Sequence, residues 1–303
     1  DSIVEAKALR RAGITAPIFV LGYTLPRRMR DPASHDVVVT ASSMESLLAI
    51  AASNPRPKFH LKIDTGMHRQ GFFVKDIGKV IEILKKNQLM PSGCYTHFAA
   101  AKDALYPTYT MMQFEEFRQI ISALKDSGYA SLLLHASASG GTLMAPKTHL
   151  DMVRIGIGMY GHWPSKELEL RYSDRIRLKP VLTWKTTVAE LKMIKSGAFV
   201  GYDLTECVSR ETRIAVLPIG YWHGYDRGFS GIGEVLIHAR RAKVLGRVSM
   251  DMIVVDVTDI PRAAIGDEVV LVGKKGSDGI DASSLADKIQ TTPYELLTRI
   301  NPR

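Results

Sequence analysis

The chain is 303 residues long, 46% hydrophobic and 23% charged. That balance fits a soluble globular protein with room for two domains and excludes disordered and fibrous classes. Its formal charge of +9 comes from lysines and arginines interleaved with acids, as in EILKKNQ and SKELELRYSDRIRLK. This reads as a solvated basic surface that can draw anionic ligands, not as a tract for specific nucleic-acid binding. No apolar run reaches the roughly eighteen residues needed to cross a membrane. Cys94 and Cys207 lie far apart without CxxC or Cys/His spacing, which excludes a disulfide scaffold or a zinc site and suits a reducing cytoplasm.

In chain order, SIVEAKALRRAGI carries helical periodicity and PIFVLG follows as the first strand. DVVVTA, FHLKIDT, GCYTHFA, LLLHAS and MVRIGIG continue a series of short β-rich runs. Between them lie the amphipathic stretches SMESLLAIAAS, VKDIGKVIEILKKN and YTMMQFEEFRQIISALKDSG. Such alternation predicts a parallel sheet flanked by helices. No GxGxxG turn follows the first strand, so the expected class is α/β with a (β/α)8 TIM-type barrel and not a doubly wound sheet. Only six strands are countable and the opening helix has no strand before it. The barrel is therefore expected to lack its first one or two strands, and the chain to begin partway through a protein. Its start shows neither an initiating Met nor the basic-then-apolar order of a secretory signal.

Residues 1–170 are assigned to this barrel. After a charged linker near Arg171 to Lys179, from about Pro180 onward, the rhythm changes to many short strands separated by Gly, Asp and Pro turns, among them VLTWKTTVAELKMI, RIAVLPIGY, MIVVDVTDI and DEVVLVG. A second, mainly β domain is expected over 171–303. It closes with the helix-like DASSLADKIQ, for which Asp281 or Ser283 is the candidate cap.

In a parallel barrel the reactive groups stand at the carboxyl ends of the strands. Those ends are polar here: Lys62, Asp64 and Arg69 in FHLKIDTGMHRQGF, His97 in CYTHFA, His135 and Ser139 in LLLHASASGG, Arg154 with Gly156 and Ile157 in VRIGIG. Each alone has a structural explanation, but gathered on one rim they point to chemistry. Arg154 poses the sharpest question. DMVRIGIGMYG otherwise reads as a buried strand of Val153, Ile155, Ile157 and Met159, and a guanidinium cannot lose its proton. Burying it bare costs several kcal/mol or more, so it must meet a partner.

LKIDTGMHRQGF, YTHFAAAKD, HASASGG, VRIGIGMYGHWPS, VGYDLTE, RIAVLPIGYWHGY, GRVSMDM and TTPYELLTRINPR, in this order, resemble the successive signatures of the bacterial alanine racemase family. The resemblance covers essentially the whole chain. It implies a barrel followed by a β domain, and interconversion of L- and D-alanine by two bases acting on a Schiff base of pyridoxal 5'-phosphate, supplying D-alanine for peptidoglycan. By the same resemblance Arg154 donates to the pyridine nitrogen, which then stays unprotonated and makes the ring a poorer electron sink. The amides of Gly156 and Ile157, the Ser139 hydroxyl and Tyr294 correspond to groups that hold the phosphate. His97 corresponds to the histidine linking that arginine to the catalytic tyrosine, which is matched by Tyr202. Arg69 and Met250 correspond to substrate contacts, and Lys62 to a lysine carbamylated in some members. Tyr221, Arg227, Arg247 and Asp251 match an entrance layer. The family also implies a homodimer in which the β domain of one subunit covers the barrel of the other.

Some positions depart from the family. Its cofactor-binding lysine lies in a KANAYGHG-like motif that does not occur in these 303 residues, and the chain stops at INPR, short of the usual final strand. The chain as given is therefore expected not to form the Schiff base and to be inactive. His68 stands where Gly is usual, Ala138 where Asn is common and Ser249 where Cys is frequent. The competing expectations are a serine or broad-specificity racemase and a non-catalytic pyridoxal-phosphate-binding barrel. The basic amino-acid decarboxylases, which share the cofactor, place a carboxylate at the ring nitrogen, and Arg154 speaks against them.

Overall fold

The computed structural model describes residues 1–103 and 107–301; Pro302 and Arg303, which close the last family-like motif, lie outside them. The chain divides into two compact units, one made of Asp1–Met159 and Trp163–Arg177, the other of Tyr160–His162 and Leu178–Arg303.

In the first unit the strands β1 (Ile18–Val20), β2 (Val37–Ala41), β3 (Phe59–Asp64), β4 (Phe72–Phe73), β5 (Gly93–Tyr95), β6 (Leu133–Ala138) and β7 (Met152–Arg154) alternate with helices. These helices are α1 (Ile3–Arg11), α2 (Arg30–Ser34), α3 (Met44–Ala52), α4 (Ile77–Lys86), α5 (Thr108–Asp126), α6 (Ser139–Met144) and α7 (Lys166–Tyr172). The sheet runs β1-β2-β3-β5-β6-β7, with β4 added to β3, and every pairing is parallel. All six expected strands are present, as a partial β/α barrel.

All six residues of β3 are buried, and their alternation shows how the site is built. Phe59, Leu61 and Ile63 join Leu47, Ile50, Val80, Leu84, Phe117 and Leu124 of α3, α4 and α5 in one apolar core. Strand geometry turns alternate side chains to opposite faces, so His60, Lys62 and Asp64 take the other side. Register then sets their neighbours: Lys62 pairs with Tyr95, and Tyr95 with His135.

The run MVRIGIG is not one buried strand. β7 ends at Arg154, Ile157–Tyr160 forms a 3-10 turn, and Ile155 and Met159 are exposed. The reason is a competing acceptor: the Ser139 hydroxyl takes the amides of Gly156 and Gly158 at 3.0 and 3.4 Å, which turns the backbone away from the ladder.

The second unit is an antiparallel sheet of β8 (Trp184–Thr187), β9 (Glu190–Ile194), β10 (Thr212–Leu217), β11 (Glu234–Ile237), β12 (Arg240–Leu245), β13 (Ile253–Asp256), β14 (Glu268–Lys275) and β15 (Asp278–Ile280). Its order is β15-β14-β11-β12-β13-β10-β9, with β8 on β14. Leu217, Val235, Val244, Val255 and Val270 are fully buried in its core. Two helices follow, α8 (Ala282–Lys288) and α9 (Pro293–Thr298). Asp281 caps α8, accepting from the amides of Ser283 and Ser284.

Leu61 is completely buried between the sheet and its helices. Leu61→Ala is expected to destabilise the first unit by about 2–5 kcal/mol, read as a lower urea midpoint; an unchanged midpoint would show that β3 does not anchor this core.

Candidate active site

The polar ends of β3, β5, β6 and β7 converge on Arg154. Its Nη1 donates to His135 Nδ1 at 2.6 Å, and its Nη2 lies 2.8 Å from Thr96 O, 2.7 Å from Ala136 O and 3.2 Å from His97 Nδ1. All four acceptors are neutral. Asp151, the carboxylate nearest in sequence, instead accepts the Leu134 amide at 2.8 Å. A guanidinium has five donors and no acceptor, so both imidazole nitrogens that face it are unprotonated. Arg154 Nε–H and the second Nη1 hydrogen are left without an acceptor among these contacts.

Tyr95 packs at the centre of the cluster. Its ring stacks on His135 at 4.7 Å and 6°, its hydroxyl meets Thr40 Oγ1 at 2.9 Å, and two cations lie over it. Lys62 Nζ is 4.9 Å from the ring centroid and Arg154 Cζ 5.3 Å, which is cation–π geometry. Sequence reasoning missed Tyr95. The available signal was its two-residue spacing from His97, which puts both on one face in a strand.

Burial and mutual repulsion govern the titration of these groups. Burial, aided by Arg154, pulls Lys62 down to about 7, and its Nζ has no hydrogen-bond partner among the described residues. Burial also lowers His97 to about 4 and His135 to about 2, with Arg154 adding to both. His60, lowered to about 4 by burial, is neutral as well. Burial alone would raise Asp64, yet the amides of His68 and Gly66 outweigh it and keep the carboxylate below its usual range. The result is an electropositive pocket with neutral imidazoles.

Lys62, Asp64, His68, Arg69, Tyr95 and His97 line a cavity of about 880 Å³ in this unit. Arg69 and His68 are exposed on its wall. His68 holds a left-handed backbone with φ 52°, and its Nδ1 stands 3.7 Å from Asp64 Oδ2. At the end of β7, Ser139 is buried beside Gly156, and a Cβ built on Gly156 would meet nothing within 4 Å. The Gly156 amide is directed to Ser139 Oγ, while Ile157 is buried in the same turn. Open space beside a hydroxyl and main-chain amides fits a phosphate, and a guanidinium with hydrogens to spare fits an acceptor nitrogen of a heteroaromatic ring.

The other candidate residues lie in the second unit. Tyr202 is 70% exposed, on a turn that begins at Gly201 with φ 75°. A Cβ on Gly246 would stand 2.2 Å from Val200 O, so this turn requires glycine opposite it. Asp203 lies 3.5 Å from Arg247 and 4.0 Å from Arg227. Tyr221 and Arg227 line a cavity of about 390 Å³ with Asp226 and Arg299. The Met250 carbonyl accepts the Trp222 amide and the Ser249 carbonyl that of Tyr221, both at 3.0 Å. Met250 and Asp251 are exposed, and Tyr294 is 41% exposed on α9.

A parallel β/α sheet with a cationic strand-end site, followed by an antiparallel β unit, defines a two-domain barrel enzyme. Residues 1–164 match the family model described as "Alanine racemase, N-terminal domain", and residues 181–303 match "Alanine racemase, C-terminal domain". The chain is 36% identical to the alanine racemase of Leptospira interrogans, over 99% of this chain and 79% of that protein. It is 39% identical to the alanine racemase of Carboxydothermus hydrogenoformans, over 99% and 81%. The crystal structure of alanine racemase from Bacillus anthracis with bound L-Ala-P superposes with a TM-score of 0.91 at 34% identity, covering 98% of this chain and 77% of that one. That from Streptomyces coelicolor superposes at 0.89 and 30%, covering 99% and 80%. The chain belongs to the alanine racemase family.

The three neutral histidines set a pH dependence. An unfolded histidine titrates near 6.5, whereas His60 and His97 hold out to about 4 and His135 to about 2. Between those limits the unfolded chain binds more protons, so stability falls as pH drops through this window, and the histidines cost nothing above it. The urea midpoint is expected to decline from about pH 6.5 toward about pH 4, less steeply in His97→Asn; a midpoint independent of pH there would contradict the neutral assignments.

Proposed function

We propose that this chain carries the ring, phosphate and substrate contacts of an enzyme that interconverts L- and D-alanine with pyridoxal 5'-phosphate; the family's cofactor-binding lysine motif is absent from these 303 residues, and the holoenzyme is the protein that includes it. The observation that carries this reading is Arg154, a buried guanidinium whose partners are two carbonyls and two neutral imidazoles, with no carboxylate among them. A permanent donor of this kind suits a ring nitrogen that stays unprotonated; the carboxylate that a decarboxylase would place there is missing from these contacts. The cofactor, when bound, withdraws electrons from the amino acid and acidifies its Cα–H.

The protein's residues do the rest. Arg154 holds the ring nitrogen as an acceptor, and Ser139, Gly156, Ile157 and Tyr294 hold the phosphate. Arg69 receives the substrate carboxylate, with Met250 supplying a main-chain contact. His97 Nδ1 faces Arg154 Nη2, which can only donate, at 3.2 Å, so its proton sits on Nε2, available to the phenol of a Tyr202 supplied by a second copy of the chain. Tyr202 moves the proton at Cα on one face. The exposure of Tyr202 fits its delivery to a partner's barrel, making a homodimer with shared sites. Tyr221, Arg227, Arg247 and Asp251 form the entrance. Lys62, whose ammonium burial pulls down to about 7, can as the free amine take up carbon dioxide, release a proton to solvent and become a carbamate anion beside Arg69. The enzyme acts in the cytoplasm.

In the holoenzyme, Tyr202→Phe is expected to slow exchange of the Cα proton of L-alanine by about 10²–10⁴-fold, followed by proton NMR in deuterium oxide, with exchange from D-alanine less affected; unchanged exchange from L-alanine removes Tyr202 from the reaction. With ¹³C-bicarbonate, a carbamate resonance is expected in the wild type and not in Lys62→Met; its absence from the wild type excludes the modification.

A further inference from the structure

Beneath Arg154 lies a residue that the proposed mechanism leaves unused. His60 is buried on β3, and its Nδ1 stands 2.9 Å from His135 Nε2. We infer that His60 is a positioning residue: it is the terminal acceptor of a one-way hydrogen-bond chain, Arg154 to His135 to His60, that holds the guanidinium in place.

The direction follows from counting protons. Arg154 Nη1 can only donate, and it is 2.6 Å from His135 Nδ1, so that nitrogen carries no hydrogen. A neutral His135 then carries its proton on Nε2. The reverse arrangement, with His60 donating, would leave both nitrogens of His135 bare, which is an imidazolate. Protonating both would set an N–H against a guanidinium N–H at 2.6 Å. Hence His135 Nε2–H donates to His60 Nδ1, and His60 keeps its proton on Nε2.

Packing around His60 supports a ring fixed in one orientation. Phe19 lies 4.5 Å from its centroid. Its register partner is Gly93, where an added Cβ would stand 2.6 Å from Cε1 and 2.7 Å from each ring nitrogen. Glycine at 93 is therefore required by the imidazole on the neighbouring strand. With His135 clamped between Tyr95 and His60, Arg154 Nη1 has a fixed acceptor, and its remaining hydrogens keep a fixed direction.

Removing the acceptor leaves a buried N–H unpaired and His135 free to turn. The inference rests on the racemase reading for its kinetic consequence, but not for the proton positions. Long-range ¹H–¹⁵N spectra of the histidine-labelled chain, recorded without cofactor, are expected to show His135 with a protonated Nε2 and a bare Nδ1. In His60→Leu that signature should broaden or split. In the holoenzyme His60→Leu should lower kcat by about tenfold, with KM for alanine changed less than twofold. Asparagine carries an oxygen at the δ position and should restore both readouts, whereas His60→Gln, with its amide one bond farther out, should not. Gly93→Ala displaces the ring without deleting it and should behave like His60→Leu. A His135 protonated on Nδ1, or spectra and kcat unchanged in both His60→Leu and Gly93→Ala, would overturn the inference and leave the racemase reading intact. A wild-type holoenzyme that carries the cofactor-binding lysine and still shows no racemase activity would remove that reading, while the spectra still decide the chain.

Discussion

The site is organised around a charge that cannot be given up. Arg154 sits at the end of a three-residue strand, and a guanidinium stays protonated at any pH a cell provides. Every group within its reach must therefore accept: the carbonyls of Thr96 and Ala136, and one bare nitrogen each on His97 and His135. The consequence spreads outward. Imidazoles beside a fixed cation stay neutral, and the buried ammonium of Lys62 is pushed down to about 7, by burial first and by Arg154 second. Asp64 offsets this only in part, its Oδ1 being occupied by the amides of Gly66 and His68. What results is a positive pocket held by neutral acceptors, suited to an anionic ligand whose own charge completes the balance.

Neutral acceptors solve a problem that a carboxylate would not. Pairing Arg154 with an acid would cancel the local field and satisfy the donors on one side, leaving little to offer a ligand. Carbonyls and imidazoles satisfy individual hydrogens without cancelling the charge. Tyr95 adds a third device, since an aromatic face within cation–π distance of both Lys62 and Arg154 eases their burial while carrying no charge itself.

Much of this was legible in strand alternation, and what was not depends on register. FHLKID announces two faces, apolar at Phe59, Leu61 and Ile63, polar at His60, Lys62 and Asp64. The six parallel strands follow from the same kind of pattern. Which rows align across strands is a long-range property, however, and no local window shows that Lys62, Tyr95 and His135 share one row. Tyr95 carries no charge and closes a short strand, so nothing in its local sequence sets it apart from a packing residue. His135 was visible as a strand-end residue, but its dependence on His60 was not. MVRIGIG misleads for another reason: its apolar spacing is strand-like, and only the folded position of Ser139 reveals a side-chain acceptor that takes the Gly156 and Gly158 amides.

In the second unit the motif VGYDLTE is recognisable by its letters, but its conformation is not. Gly201, Asp203 and Leu204 all take positive φ, at 75°, 65° and 52°. For Asp and Leu such backbone costs of order 1–3 kcal/mol each, so the surrounding fold must hold the turn. Val200 supplies that hold: its side chain belongs to a small core with Val208, Ile214 and Leu245, and its amide donates to Glu206 O at 2.9 Å. Buried anchoring on the upstream side and strain on the downstream side have one geometric outcome, a phenol at position 202 standing 70% exposed. A tyrosine in a relaxed turn would fold its ring back onto apolar surface, since burying an aromatic of this size is worth on the order of 2 kcal/mol. The strained turn thus opposes the ordinary hydrophobic preference of the residue it carries.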